Sequence, residues 1–595
     1  MSAFQLGLDR SGNANHFNVA GINQFGRVID TPTNNFSTMN PHPKVLYDRD
    51  GGSLTFPAGN PTYSEGNLEV VTPNSGSGNS VSTIGVESGK WYAEVYIQAY
   101  SSLPRHNIGI TGDAFATILA ATNFGSLSTS LDVGYFFNGT KFIGNSESTN
   151  AGATYAVGDV MGIALNVDDS AVTFYKNNAS QFTQAFTAGG TYHFVVGDVS
   201  GGGGTTFELN FGQDSSFGGR KTPGNKQDGN SIGDFFYAPP AGFLALCTEN
   251  LPEPAVVPTE NFNSVLYTGT GQDNRAVTGV GFQPDWVFIK GRTSAESTWH
   301  DSLRGPANGL FAESETAEDT GGNLVSFDAD GFTTSDSNRA NRNNQPLIAW
   351  NWKAGGNAAS VGSNTDGSIN TTDTSVNSAA GFSISTFTGN ATSGATVGHG
   401  LGVVPEWVMV VCRSSAGNRF IYHASNTSAP ATDYLALETT GATADQANIW
   451  NDTAPTSSVF SLGNNASVNG NNETFVAYCW HSVEGYSKFG SYTGNGNADG
   501  PFVHLGFKPA FIMRKRTDNT THWHINDNAR IGFNGTGSNL SLRPNVTDGE
   551  DDANRVDFLS NGFKISTTSG DVNNDNSVFI FMAFAESPFK YSNAR

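Results

Sequence analysis

One sequence pattern occurs three times and thereby indicates the architecture of the chain. Its copies are Gly281-Phe282-Gln283-Pro284-Asp285-Trp286-Val287, Gly402-Val403-Val404-Pro405-Glu406-Trp407-Val408 and Gly506-Phe507-Lys508-Pro509-Ala510-Phe511-Ile512. Each copy places a glycine three residues before a proline and then an aromatic beside an aliphatic residue. The copies are roughly 100 to 120 residues apart, which exceeds the period of about 20–50 residues in solenoid repeats. A spacing near 100 residues matches a whole small domain.

Each copy continues in the same way. An aromatic residue stands beside a histidine at Trp299-His300, Tyr422-His423 and Trp523-His524, and the copies close on the apolar strands Ile348-Ala349-Trp350, Tyr478-Cys479-Trp480 and Met582-Ala583-Phe584. The pattern predicts three related β modules, which we call repeat 1 (261–355), repeat 2 (381–484) and repeat 3 (485–595). A proline-rich linker (251–260) precedes repeat 1, and a Gly/Asn/Ser/Thr-rich linker (356–380) separates repeats 1 and 2.

The composition favours an all-β chain. Of 595 residues, 71 are glycine, and charged residues make up 14%, so the polar surface is built from Asn, Ser, Thr, Gly and Gln. Aromatic residues reach 11%, which is enough to fill several cores and argues against disorder. Frequent turn residues between β-branched and aromatic runs are typical of antiparallel sheets. We therefore predict a multidomain all-β protein, in which a β-sandwich precedes three related antiparallel β-sandwich modules.

The region before the repeats divides into two parts. Residues 1–45 are polar and turn-rich, and we expect an extended N-terminal attachment segment that is stable only when it lies on another surface. Residues 46–250 alternate in hydrophobicity in runs such as Trp91–Ile97 and Thr206–Phe211, and turn signals such as Asn138-Gly139 separate the runs. Short strands at this spacing predict an antiparallel sandwich.

Charge and cysteine content exclude several classes of protein. The formal net charge of −22 is opposite to that of a nucleic-acid-binding protein. The densest basic cluster, Arg514-Lys515-Arg516, is expected to be a solvated strand end. Cys247, Cys412 and Cys479 form no disulfide framework and are expected to be small buried residues. No secretory signal or membrane-spanning run is present, so we predict synthesis in a cytoplasm and no membrane insertion.

The 46–250 module resembles a SPRY domain. The motifs are Ser88-Gly89-Lys90-Trp91-Tyr92-Ala93-Glu94-Val95, then Gly158-Asp159-Val160-Met161-Gly162-Ile163-Ala164-Leu165, then Thr173-Phe174-Tyr175-Lys176-Asn177-Asn178. The resemblance implies a concanavalin-like β-sandwich that binds partners through its loops, without specifying a ligand.

The whole arrangement resembles the fibre-like virion proteins of tailed bacteriophages, particularly marine ones. The resemblance combines the polar stretch 6–35, the SPRY-like module, the segment Pro239–Pro252 and the three repeats. It implies a virion protein at the tail or particle surface that is made in the host cytoplasm. It also implies homo-oligomers, trimers by analogy, together with other virion proteins and a host-surface glycan or protein as partners.

The sequence offers few candidates for catalytic chemistry. His300 precedes Asp301 and His524 precedes Asp527 by three residues, which suits either a general base or a repeated packing element. In repeat 2, Ala424 and Ser425 follow His423, so the carboxylate does not recur in all three copies. This favours the repeated packing element over a general base. His522 and His524 could form half of a metal site, but no third ligand follows at a suitable spacing. The acidic loops 548–552 and 571–575 suit either Ca²⁺ or solvated turns.

No Gly-x-Ser-x-Gly, Walker or His-Glu-x-x-His motif is present, so we predict a protein that is not an enzyme and needs no cofactor or metal. Four aromatic residues near predicted loops could stack on sugar rings, although core packing is an equal alternative: Tyr100, Phe124, Tyr155 and Trp450. The sequence predicts a tail fibre or fibre-like appendage for host recognition. The alternatives are a capsid or tail decoration protein and a polysaccharide-degrading tailspike.

Overall fold

The computed structural model describes residues 29–31, 34–41, 45–47, 53–55, 61–73, 78–100, 105–112, 131–143, 146–198, 204–293, 296–530, 540–553 and 555–591. The prediction of an all-β chain is confirmed, because antiparallel sheets account for almost all of the regular structure. The chain forms two compact units, the first ending at Pro252 and the second beginning at Glu253.

The first unit contains strands that run in chain order as β1 (Val45–Tyr47), β2 (Ser53–Thr55), β3 (Thr62–Ser64), β4 (Glu69–Val71), β5 (Gly78–Val81), β6 (Lys90–Tyr100), β7 (His106–Thr111), β8 (Asp132–Phe136), β9 (Lys141–Ile143), β10 (Ser146–Ser148), β11 (Val160–Asn166), β12 (Ala171–Lys176), β13 (Ala179–Ala185), β14 (His193–Asp198), β15 (Thr205–Asn210) and β16 (Leu244–Ala245). Short 3-10 turns lie at Glu65–Asn67 and Thr248–Asn250.

Two sheets form a sandwich in this unit. One has the order β10-β9-β8-β7-β14-β5, and the other has the order β13-β12-β11-β6-β15-β4-β3, with β16 parallel to β6. Aromatic side chains interlock between the sheets: Tyr135 of β8 contacts Phe174 and Phe182 with centroid distances of 5.5 and 4.9 Å. Because alternate residues of each strand point inward, this aromatic layer forms the core.

The described part of the N-terminal segment packs on the first unit itself. Phe36 and Met39 are buried, and each forms a backbone bridge, Phe36 to Cys247 and Met39 to Ser82. The Phe36 ring packs against the backbone of Gly212, so closely that a Cβ on residue 212 would lie 2.8 Å from the ring. These described residues of the segment lie on their own unit, and residues 1–28, 32–33 and 42–44 lie outside the described residues.

The second unit contains strands that run as β17 (Phe262–Thr268), β18 (Arg275–Thr278), β19 (Trp286–Gly291), β20 (Ser297–Asp301), β21 (Leu324–Asp328), β22 (Gly331–Thr334), β23 (Pro346–Trp352), β24 (Thr371–Asn377), β25 (Phe382–Thr388), β26 (Ala395–Gly398), β27 (Trp407–Cys412), β28 (Phe420–His423), β29 (Asp433–Ala436), β30 (Ala444–Asp445), β31 (Val459–Leu462), β32 (Thr474–Trp480), β33 (Ser487–Thr493), β34 (Phe502–His504), β35 (Phe507–Arg516), β36 (His524–Asp527), β37 (Val556–Leu559), β38 (Gly562–Ile565) and β39 (Val578–Pro588). The helical turns are α1 (Ala447–Trp450), α2 (Ala466–Asn469) and α3 (Gly570–Asn573), with 3-10 turns at Pro258–Glu260 and Phe589–Tyr591.

The three repeats share one sheet topology. Their main sheets contain the equivalent strand orders β17-β23-β19-β20, β25-β32-β27-β28 and β33-β39-β35-β36. The strand register makes Trp286, Trp407 and Phe511 equivalent, since each opposes an aromatic residue of the last main-sheet strand, Trp352, Trp480 or Phe584. The closing aromatic residue of repeat 1 is therefore Trp352 and not Trp350, which the sequence pattern aligns with Trp480 and Phe584. The repeated glycines Gly281, Gly402 and Gly506 have φ of +87°, +74° and +81°, a region that L side chains rarely adopt.

Each main sheet has two buried faces. One face covers a small core inside its own repeat, against a second sheet formed by β18-β22-β21, β26-β31 or β34-β38-β37. The other faces of all three main sheets meet in one aromatic core that includes Trp286, Trp407 and Phe511. Within the segment expected to be a linker between repeats 1 and 2, residues 371–377 form β24, which pairs with β25.

Candidate functional site

The three repeats contact one another cyclically, and a polar cluster lies at each seam. At the first seam, between repeats 1 and 2, Asp301 and Arg304 form a fully buried ion pair with an N–O distance of 2.5 Å. Tyr478 donates its hydroxyl proton to Asp301 at 2.6 Å. Glu318 bridges Arg304 at 2.8 Å and Arg413 at 2.9 Å. The cluster thus joins two repeats through one continuous set of charge-assisted bonds.

The third seam, between repeats 3 and 1, repeats the Asp, Arg, Glu and Arg of this cluster, with Trp350 in the place of Tyr478. Asp527 pairs with Arg530 at 2.7 Å, and Trp350 of repeat 1 donates its indole N–H to Asp527 at 3.1 Å. Glu550 contacts Arg530 at 3.4 Å and Arg292 at 2.6 Å. We call these two clusters the charged clasps.

The second seam, between repeats 2 and 3, has neutral residues at the same positions. His423 replaces the aspartate and hydrogen-bonds the carbonyl of Phe581 at 3.1 Å. Asn426 replaces the clasp arginine and accepts a hydrogen bond from the Thr443 hydroxyl at 2.7 Å. The Thr443 N–H donates to the Thr517 carbonyl at 2.8 Å. In the charged clasps, the Glu318 N–H donates in the same way to the Arg413 carbonyl at 2.8 Å, and the Glu550 N–H donates to the Arg292 carbonyl at 2.9 Å. We call His423, Asn426, Thr443 and Thr517 the neutral clasp, because they keep the backbone hydrogen bond of the charged clasps without an ion pair.

The electrostatics of the seams differ accordingly. Burial alone would raise the pKa of Glu318, but the hydrogen bonds and charges of Arg413 and Arg304 outweigh it and lower that pKa. Burial lowers the pKa of His423 to about 4, with the Phe581 carbonyl bond opposing the shift. Burial also lowers the pKa of Lys515, at the second seam, to about 8.

A second repeated feature is a loop after the first strand of each main sheet, which begins with Thr-Gly. In repeat 1 the buried Asn341 accepts a bond from the Thr270 N–H at 2.8 Å and donates to the carbonyls of Gln272 at 2.7 Å and Ser335 at 2.9 Å. The Gly271 N–H donates to the Asn341 carbonyl at 2.8 Å. One asparagine therefore fixes the entire loop.

Asn469 and Asn573 make the same bonds in repeats 2 and 3. The equivalent loop partners are Asn390, Ala391 and Thr392 in repeat 2 and Asn495, Gly496 and Asn497 in repeat 3, with Gly463 and Thr567 in place of Ser335. The three asparagines are 0% exposed. We call 268–274, 388–394 and 493–499 the anchored loops.

The anchored loops combine a rigid base with an exposed polar tip. Their glycines Gly269, Gly389 and Gly494 are required, because a Cβ there would strike a backbone carbonyl oxygen. The tips expose uncharged groups such as the side chains of Gln272 and Thr392. Loops held by a rigid scaffold are common binding elements, and three equivalent loops provide a multivalent surface.

Of the four aromatic residues predicted for sugar stacking, two are in the core. Tyr155 is 2% exposed and donates its hydroxyl proton to the Tyr135 carbonyl at 2.6 Å, and Trp450 is 3% exposed. Neither can stack on a sugar from outside. Tyr100 is half-buried at the end of β6 against the His106 ring at 5.8 Å, and Phe124 lies outside the described residues.

The aromatic–histidine pairs are not equivalent to one another. The register places Asp301, His423 and Asp527 opposite the repeated aromatics of β19, β27 and β35, so His300 and His524 lie elsewhere on their strands. His524 contacts the Ser541 hydroxyl at 3.1 Å and Asp571 at 3.7 Å, but His524 and Ser541 are fully buried, which leaves no access for a substrate.

The other candidate sites are occupied by the protein's own side chains. Arginines neutralise the acidic loop 548–552, since Arg543 pairs with Asp548 at 3.3 Å and Asp551 at 3.1 Å. The basic cluster expected at a solvated strand end is not solvated, because Arg514 and Lys515 are buried. Among the described residues, no group of three or more His, Cys, Asp or Glu side chains is arranged to hold a metal ion.

The central core encloses a cavity of about 20 Å³ lined by apolar side chains, including Trp286, Trp407 and Met513. That volume is the size of a single water, and the lining offers none of the polar partners that a water needs. Among the residues that the structure describes, no helix has the length and apolar character to cross a membrane.

A family model described as "Domain of unknown function (DUF7483)" matches residues 257–588. The chain belongs to this family. The match spans the three repeats and all three seams. No curated protein matches the chain.

Solved structures similar to this chain include SPRY domains. The SPRY domain of human HERC1 is 18% identical, with 25% of this chain and 91% of that chain covered and a TM-score of 0.22. The TRIM65 PSpry domain is 14% identical, with 29% and 92% covered and a TM-score of 0.20. A human SPRY domain is 16% identical, with 28% and 94% covered and a TM-score of 0.19.

The anchoring asparagines carry a sequence signal that the Gly-x-x-Pro pattern does not include. Thr-Gly recurs at 268–269, 388–389 and 493–494, in step with the repeats, and the asparagines follow 72 to 80 residues later. Because these offsets differ by up to eight residues, an alignment of the repeats on Thr-Gly brings the three asparagines together only when gaps are inserted.

Proposed function

We propose that this protein is a structural and recognition component of a tailed-phage particle, a tail fibre or fibre-like appendage that binds a host-surface glycan or protein. The origin rests on the sequence resemblance. The recognition role rests on the anchored loops, which hold three equivalent polar tips on one unit. Binding through such tips is weak individually and gains strength by effective concentration.

Two features of the described residues favour binding over catalysis. The carboxylates of the charged clasps, Asp301, Glu318, Asp527 and Glu550, are paired with arginines and are unavailable for acid–base work. The cavity in the shared aromatic core, about 20 Å³, is too small for an organic substrate. A homotrimer would multiply the loops further, and the particle surface is the proposed location.

Immunogold labelling of intact particles with antibodies against the whole protein tests the location. Label on the tail or fibre tips is the expected result. Label spread over the capsid favours a decoration protein, and particles without label contradict a virion role. Reducing sugar released from host polysaccharide by the purified protein would favour the tailspike enzyme instead.

Competition for phage adsorption tests the loops. Purified protein should block adsorption, and the variant Gln272→Ala, Thr392→Ala, Asn497→Ala should need at least about tenfold more protein for the same block, since three sites weaken together. The control variant Glu147→Ala, Ser148→Ala changes exposed residues of β10 and should compete like the wild type. Equal competition by both variants would contradict loop-mediated recognition.

A further inference from the structure

Equivalent positions at the three seams carry different chemistry, and this difference has a consequence for pH. The charged clasps use Asp, Arg, Glu and Arg, whereas the second seam uses His423, Asn426, Thr443 and Thr517. The second seam therefore depends on a side chain whose ordinary pKa, about 6.5, is close to neutral pH.

The hydrogen bonds of His423 fix its protonation state. The Ser425 N–H donates to Nδ1 at 3.0 Å, so that nitrogen carries no proton. Nε2 then carries the proton and donates to the Phe581 carbonyl of repeat 3 at 3.1 Å. A second proton on Nδ1 would face the Ser425 N–H, and the buried ring would become a cation between two repeats.

We propose that the seam between repeats 2 and 3 is an acid-sensitive latch centred on His423, which opens at mildly acidic pH while the two charged clasps remain closed. Opening separates β27, β28 and β29 from β35, β36 and β39. It exposes apolar side chains of the shared core, among them Trp407, Leu437 and Met513.

The surroundings of the seam contribute further basic groups. Repeat 3 presents Lys515, whose Nζ donates to the Thr440 carbonyl at 3.4 Å, and His522, which contacts Asn545 at 3.1 Å. The other charged groups on the packed elements are Glu406 before β27, Asp433 on β29, Lys508, Arg514 and Arg516 on β35, His524 and Asp527 on β36, and Glu586 on β39. Acid adds positive charge to a seam that already holds Lys515.

The charged clasps lose stability only at lower pH than the His423 seam does, so they change little between pH 7 and pH 5. The pKa of Glu318 is lowered, so its ion pairs persist until the pH falls below the ordinary range of a carboxyl group. The folded-state pKa of His423 is depressed, so its contribution to stability is present above its unfolded pKa of about 6.5 and is lost as pH falls toward about 4. From these two pKa values, the opening equilibrium rises about 20-fold between pH 7 and pH 5.

Hydrogen exchange on the whole protein at pH 7 and pH 5, corrected for the intrinsic exchange rate, tests the latch. Peptides over 420–445 and 515–523 should show an opening constant about 20-fold higher at pH 5, while peptides over 310–320, 286–293 and 540–551 should not. An equal rise at all three seams, or no rise at the second seam, overturns the proposal.

Two variants identify the responsible group. His423→Gln keeps an N–H donor for the Phe581 carbonyl without a titrating ring, and it should abolish the acid response. His106→Gln, which removes a buried histidine of the first unit whose pKa is also lowered to about 4, should leave the response unchanged. Should His423→Gln fold poorly, a disulfide between Thr443→Cys and Thr517→Cys should abolish the response in its oxidised form and restore it on reduction. Acid opening that persists in the oxidised form would refute the latch.

Discussion

Replacing each anchoring asparagine by alanine should cost nearly the same free energy of unfolding in all three repeats. Each substitution, Asn341→Ala, Asn469→Ala or Asn573→Ala, removes the one accepted and two donated hydrogen bonds that the three fully buried side chains share, and Asn573→Ala also removes a bond to the Asn495 side chain at 3.2 Å. At about 1 kcal/mol for each bond, the loss is about 3 kcal/mol per substitution. With an unfolding entropy of about 2.1 cal/mol/K per residue over roughly 340 residues, Tm should fall by about 4 °C.

Tryptophan fluorescence during urea unfolding of the whole protein measures this loss. Trp91 is the one tryptophan of nine that precedes Glu253, so the signal reports mainly on the second unit. Asn390→Ala is the matched control, since it removes an exposed asparagine of an anchored loop and should change stability by less than about 0.5 kcal/mol. Costs below about 1 kcal/mol, or costs that differ between repeats by more than about 2 kcal/mol, would refute the anchoring role.

Three further predictions concern the seams and the shared core. Asp301→Ala should destabilise the second unit by about 3 kcal/mol in urea unfolding, because it leaves the buried Arg304 with Glu318 as its one remaining carboxylate partner and leaves the Tyr478 hydroxyl without its acceptor, and a cost below about 1 kcal/mol would contradict this. The folded-state pKa of Lys515 is depressed, so its contribution is lost as pH falls through about 8, and stability should rise between pH 8 and pH 10. Lys515→Met should reduce that rise, and a rise of unchanged size would refute the assignment. A fragment of residues 381–484 should give no cooperative thermal melt, because it would expose the face carrying Trp407 that the other repeats cover; a sharp melt would show that repeat 2 folds alone.

The sequence predicts the fold where the signal is local. Gly281, Gly402 and Gly506 needed a left-handed backbone conformation, and their spacing to the following proline and aromatic residue identified three related modules. Alternation of apolar residues identified the strands of the first unit. These features depend on neighbours within a few residues, so a reader of the sequence can find them without knowing the fold.

The seams could not be predicted in this way, because their partners lie far apart in the chain. Tyr478 meets Asp301 across 177 positions, and Arg292 meets Glu550 across 258. The Asp-x-x-Arg spacing of Asp301-Arg304 and Asp527-Arg530 was readable, but its burial follows only from the cyclic contact of the repeats. The same burial explains why the aromatic candidates Tyr155 and Trp450 belong to the core.

The distribution of polar groups in the second unit connects its stability to its proposed role. Buried charges contribute little net stability compared with well-packed apolar residues, but they penalise any arrangement in which they are left unpaired. The charged clasps therefore contribute mainly to the specificity of one relative position of the repeats and less to the free energy of unfolding. Fixed repeat positions give fixed distances between the anchored loops, and multivalent binding depends on those distances, because a second site helps only when both can be engaged at once. A neutral clasp at one seam leaves a single place where that geometry can relax without breaking an ion pair.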